Sequence, residues 1–210
     1  MSARDQILGK IRLMQKEKMT SPQSSWNGGA VFPEIDGGLI EHFVQNLKAV
    51  QGEVFLCSNT EKVATLLIKL AARENWENIF CIDTGIHPML EAHSLPFQND
   101  PTNFLKMEAG ITGCDRLIAL TGGVLVHSQT ESGRKMNVFP PVHIVLANAS
   151  QIIATPEDAL RGIKSKYKKN DLPSMISTIT GPSRTADIEK TLIMGAHGPK
   201  RLIVFINRSC

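Results

Sequence analysis

The chain has 210 residues, of which 42% are hydrophobic, 20% charged and 5% aromatic, which is enough to bury one large core and too apolar for a disordered tail. No apolar run approaches the roughly 18 residues of a membrane span. A net charge of only +3, with so few aromatics, argues against a nucleic-acid binder that relies on phosphate neutralisation and base stacking.

Residues 1–20 hold that entire excess, five basic against two acidic side chains. Ser2 and Asp5 read as a capping pair, and Ile7, Leu8, Ile11 and Met14 fall at helical spacing, so residues 2–19 are expected to form an amphipathic helix with a basic outer face. Its N-terminal stretch lacks the apolar core of a signal peptide, which makes the cytoplasm the expected compartment. Pro22, Gly28, Gly29, Pro33, Gly37 and Gly38 mark a loop over residues 21–38. The expected organisation is an arm and linker over residues 1–38 and a single α/β domain over residues 39–210.

In that domain a strand at 54–57, a helix at about 60–75 and a strand at 79–82 follow one another. Short strands that are apolar throughout imply burial on both faces, as in a parallel sheet between helix layers. Strands at 117–120, 124–126, 142–147 and 152–154 leave no room for helices between them and are expected to pair as hairpins or a meander, giving a mixed sheet. Thr155-Pro156-Glu157 starts a helix that runs to about 169, by N-cap and by proline at the first position. Residues 175–180 and 202–206 read as two more buried strands.

The four cysteines, Cys57, Cys81, Cys114 and Cys210, include no C-x-x-C pair, which speaks against structural zinc or an iron–sulfur site on this chain and predicts reduced thiols. The six histidines show no H-x-x-x-H pair, so no metal site is expected. Asp83-Thr84-Gly85 occurs once in an α/β setting, whereas aspartic-protease chemistry needs two such carboxylates; Asp83 reads as a strand-end cap.

Three constellations remain. Thr180-Gly181-Pro182-Ser183-Arg184-Thr185-Ala186-Asp187-Ile188-Glu189 follows a strand, and its hydroxyls, small residues and arginine suit an anion site at a helix N-terminus, with Asp187 and Glu189 in the first turn. An ordinary strand-to-helix turn capped by Ser183 or Thr185 fits equally well. In Gly195-Ala196-His197-Gly198-Pro199 a tight turn presents an imidazole able to move a proton. Thr121-Gly122-Gly123, followed by Arg134 and His143, offers a backbone that approaches a ligand closely or simply turns a hairpin.

Residues 179–189 and 195–199, in that order, resemble the carboxyl-terminal signature of the LUD-domain family, its LutC/YkgG group. The resemblance extends through Gly110-Ile111-Thr112, Thr121-Gly122, Arg134 and Pro140-Pro141-Val142-His143-Ile144, and covers roughly residues 40–207. It implies a mostly parallel, Rossmann-like sheet similar to the NagB/RpiA/CoA-transferase group. It also implies a part in oxidising L-lactate to pyruvate beside iron–sulfur partner subunits, with no cofactor on this chain. Where family members commonly carry an acidic side chain, this chain has Leu120, which cannot transfer a proton.

These readings combine into a subunit that supports the assembly or binds a small carboxylate or other anion through Gly181, Ser183, Arg184, Thr185, Thr121, Gly122, Gly123, Arg134 and His143, with His197, Asp187 and Glu189 as candidate acid–base groups. Two alternatives stay open: a stand-alone isomerase or transferase acting on a phosphorylated or CoA-linked molecule, and a non-catalytic interaction subunit. A homo-oligomer is compatible with all three.

Overall fold

A computed structural model describes residues 3–16, 32–33, 35–168, 171–186 and 192–209. The chain divides into two units, Met1–Pro33 and Glu34–Cys210. In the first, helix α1 (Ala3–Lys16) places Asp5 in its opening turn, where a carboxylate opposes the helix dipole. Ile7 and Leu8 are exposed.

The second unit is built on a five-stranded sheet in the order β1 (Glu53–Cys57), β11 (Arg201–Asn207), β6 (Val142–Asn148), β3 (Ala109–Thr112), β2 (Ile79–Cys81), and every neighbouring pair is parallel. The alternation of β11 shows why both faces had to be apolar. Ile203 and Phe205 pack with Val63, Leu67 and Leu70 of α3 (Thr60–Glu74) and with Leu90 of α4 (His87–Ala92). Leu202, Val204 and Ile206 point the other way, onto Phe43 and Leu47 of α2 (Leu39–Ala49). Each such fully buried large side chain contributes roughly 1.5–3 kcal/mol relative to exposure.

A second, four-stranded sheet runs β7 (Ile152–Ile153), β4 (Arg116–Ile118), β5 (Gly123–His127), β8 (Ile176–Ile179). One of its faces, with Leu117, Val124 and Val126, joins the core of α2 and the main sheet. On its other face Ile118 and Leu125 meet Ala159 and Ile163 of α5 (Pro156–Lys166). The layers therefore run from α3 and α4, through the parallel sheet, to α2 and the small sheet, and then to α5. Antiparallel strands β9 (Arg184–Ala186) and β10 (Leu192–Met194) form a separate ribbon.

Local signals hold where capping is explicit. Asn59 caps α3 by accepting a hydrogen bond from the Lys62 amide at 2.8 Å, and Thr155 with Asp158 closes a capping box on α5 with Pro156 in its first turn. The parallel sheet between helices is the expected fold. Three expectations need correction. The strand at 142–147 leaves the meander and enters the middle of the parallel sheet, so the four clustered strands are shared between two sheets. β8 is a half-exposed edge, with Ile176 37% accessible. After Ser183 the chain continues as strand β9 where a helix start was expected; Asp187 and Glu189 lie outside the described residues.

Candidate functional site

The signature residues gather at the end of the parallel sheet from which its strands begin. Gly181 has φ +76°, and a Cβ there would lie 2.4 Å from the Val50 carbonyl oxygen, just beyond α2. The Arg184 guanidinium donates to that same oxygen at 2.8 Å. Gly122, with φ +62°, abuts the Leu47 amide so closely that a Cβ would lie 2.3 Å from it. The backbone approach that two glycines permit is thus an approach to α2. Asn46 fixes the same turn by donating to the carbonyls of Ala119 and Leu120; Leu120 itself is half-buried. Gly123 opens β5 beside Thr178, and Thr185 pairs with Ile193 across the ribbon.

The two signature loops meet. The Ser183 amide donates to the Pro199 carbonyl at 2.8 Å, and the Gly195 amide to the Ser183 carbonyl at 2.8 Å. The Ser183 amide, one of the backbone donors that an oxyanion cradle there would use, is thus engaged by the neighbouring loop. His197 lies exposed beside a surface pocket of about 440 Å³ shared with Val138, Phe139, Pro141 and Lys200.

Arg134 and His143 stand apart from this cluster. Arg134 is exposed and donates to the Ser174 hydroxyl at 2.9 Å. His143 is fully buried in β6, with Nε2 2.8 Å from the Thr112 hydroxyl. Burial pushes its imidazole down to about 4, so at neutral pH it carries no charge with which to attract an anion.

The opposite edge, where the parallel strands end, carries a crevice of about 220 Å³ between α3, α4 and the ends of β6 and β11, lined among others by Thr60, Met89, Asn148, Gln151, Phe205 and Asn207. Its polar groups are oriented by their neighbours. Asn207 donates to the Thr60 hydroxyl at 3.2 Å and accepts from the Ser209 amide and hydroxyl. Gln151 accepts from the Asn148 amide and donates to the Cys114 carbonyl. Asp83 ends β2 as the expected cap, accepting from the Gly113 amide at 2.7 Å. Glu131 takes the amide and hydroxyl of Thr84; those hydrogen bonds hold its carboxyl below the ordinary range. In open α/β sheets the crevice at the carboxyl ends of the strands is the usual ligand site. Sequence reasoning passed over Thr60, Asn148, Gln151 and Asn207; the available signal was that each closes or follows an apolar strand.

Two comparisons with known proteins bear on the family. A family model described as the LUD domain matches residues 40–206. The chain belongs to the LUD domain family. Lactate utilization protein C of Shouchella clausii is 37% identical over 92 residues, 44% of this LUD chain and 40% of that protein; the Bacillus licheniformis protein of the same name is 36% identical over 91 residues, 43% and 38% respectively. The matched part spans about two-fifths of the length of those relatives. An uncharacterized protein of Neisseria meningitidis serogroup B is 27% identical over 227 aligned positions, covering 97% of this chain and 93% of its own. Among solved structures, a DUF162 family protein from Deinococcus radiodurans has the same fold, with a TM-score of 0.60 and 18% identity over 83% of this chain and 99% of that one.

Proposed function

We propose that this LUD chain is the cluster-free subunit of an L-lactate utilization system. It takes a small carboxylate in the carboxyl-edge crevice and meets iron–sulfur partner subunits at the amino edge. The names of the relatives matched over about two-fifths of their length support the system. The observation that carries the site is the crevice itself: it is small, it lies where open α/β sheets receive ligands, and it is lined by amides and a hydroxyl oriented by further hydrogen bonds. The Thr60 hydroxyl sits in the first turn of α3, whose dipole favours an anion nearby. Dehydrogenating a 2-hydroxy acid removes a hydride equivalent that no amino-acid side chain accepts reversibly, so the electrons are assigned to the partners.

The test is calorimetric titration of L-lactate and pyruvate into the full chain. Asn207→Asp keeps the side chain's shape while adding a negative charge, and the expected result is at least tenfold weaker binding. Arg184→Ala, at the far edge and bonded to the Val50 carbonyl, is expected to bind as the unaltered chain does. Loss of affinity in Arg184→Ala with none in Asn207→Asp would return the ligand to the signature loops and overturn the assignment.

A further inference from the structure

Beside the crevice, on the other side of the first turn of α3, lies a second depression of about 450 Å³ lined by Leu56, Ser58, Lys62 and Arg208. Lys62 comes from α3 and Arg208 from the residue after β11, and the Arg208 amide donates to the Cys57 carbonyl at the end of β1 at 2.9 Å, which holds Arg208 against that strand. Among the described residues no carboxylate forms an ion pair with either side chain. Leu56, which also lines the depression, is 45% exposed.

We infer that this depression binds the phosphoryl group of a small organic phosphate whose carbon skeleton rests on Leu56, at a site separate from the small-carboxylate crevice. A guanidinium, an ammonium and a hydroxyl lining one depression supply more charge and more donors than a monocarboxylate uses, and they suit a tetrahedral dianion. The depression is much larger than a phosphate ion, and the exposed leucine gives the remaining volume an apolar floor. Among the described residues neither cation is drawn off by a carboxylate, so no ion pair between them has to be displaced by a ligand.

The probes are inorganic phosphate and phenyl phosphate, titrated calorimetrically into the full chain. Phenyl phosphate is expected to bind more tightly than inorganic phosphate. The double variant Lys62→Gln, Arg208→Gln should lose at least tenfold affinity for both, while Leu56→Ser removes the advantage of the phenyl group alone. A control that removes two charges elsewhere, Lys164→Gln with Lys168→Gln, should bind as the unaltered chain does. Both cations are exposed, so unchanged thermal unfolding of the double variant confirms that the fold is intact. Absence of binding at millimolar probe, equal loss in the control, or undiminished affinity in the double variant would each overturn the inference. Phosphate affinity lost in Asn207→Asp to the same degree would also overturn it, by placing the anion in the crevice. Lactate binding is read separately on Asn207→Asp, so either reading can fail while the other stands.

Discussion

His143 shows how far a residue's role depends on where the fold puts it. A histidine at the entry to a strand is a reasonable anion ligand in sequence, yet in the structure it is fully buried in β6 beside β3, with one nitrogen on Thr112 and Nδ1 without a partner among the described residues. Its native imidazole titrates near 4 against an ordinary 6.5 because burial penalises the charged form. Between those pH values the unfolded chain binds a proton that the native chain refuses. Stability is therefore fully present above about pH 6.5 and falls as the pH drops toward 4, by about 3 kcal/mol in total. Urea unfolding at a series of pH values should show this slope, and His143→Gln should flatten it. An unchanged slope in the variant would assign the acid sensitivity to other groups.

Among elements, α2 organises the most signature residues and was not predicted, although Leu39, Ile40, Phe43 and Leu47 have helical spacing. α3 and α5 were legible because Asn59, Thr155 and Pro156 announce their first turns. β9 was not, because hydroxyls and an acidic pair after a strand suit a helix start as well as a ribbon. The glycines separate these cases quantitatively. Gly122 holds a left-handed φ against the backbone of α2, so Gly122→Ala combines backbone strain of about 1–3 kcal/mol with a steric clash. Gly162 lies inside α5, where a Cβ would meet no atom of the other described residues within 4 Å, so Gly162→Ala should stabilise by about 0.5–1 kcal/mol. Thermal unfolding should move in opposite directions for the two variants; a rise for Gly122→Ala would mean that the turn does not depend on its contact with α2.

At the scale of the whole α/β unit, the parallel sheet separates two chemistries. Its carboxyl edge gathers hydroxyls, amides and the Asp83 carboxylate. Its amino edge exposes Leu105, Val138 and Phe139, 96%, 49% and 58% accessible, beside Phe104, whose ring lies 6.5 Å from that of Phe139. The family signature also lies on this amino edge, because Gly181 and Arg184 brace Val50 and the loop at 195–199 leads into β11. Motif reading found the signature and read it as an anion site, but residue types carry no information about which end of a sheet their loops reach. Exposed aromatic and aliphatic side chains around a pocket that also holds His197 and Lys200 suit a protein surface better than a small anion. If partner subunits dock there, Phe139→Glu places an unpaired charge in the contact and should abolish co-purification with them. The side chain is more than half exposed, so the variant's unfolding temperature and its lactate affinity should stay those of the unaltered chain. Intact co-purification of Phe139→Glu would remove the amino edge as the docking face, whereas loss of lactate binding in the same variant would show that the two edges are not independent.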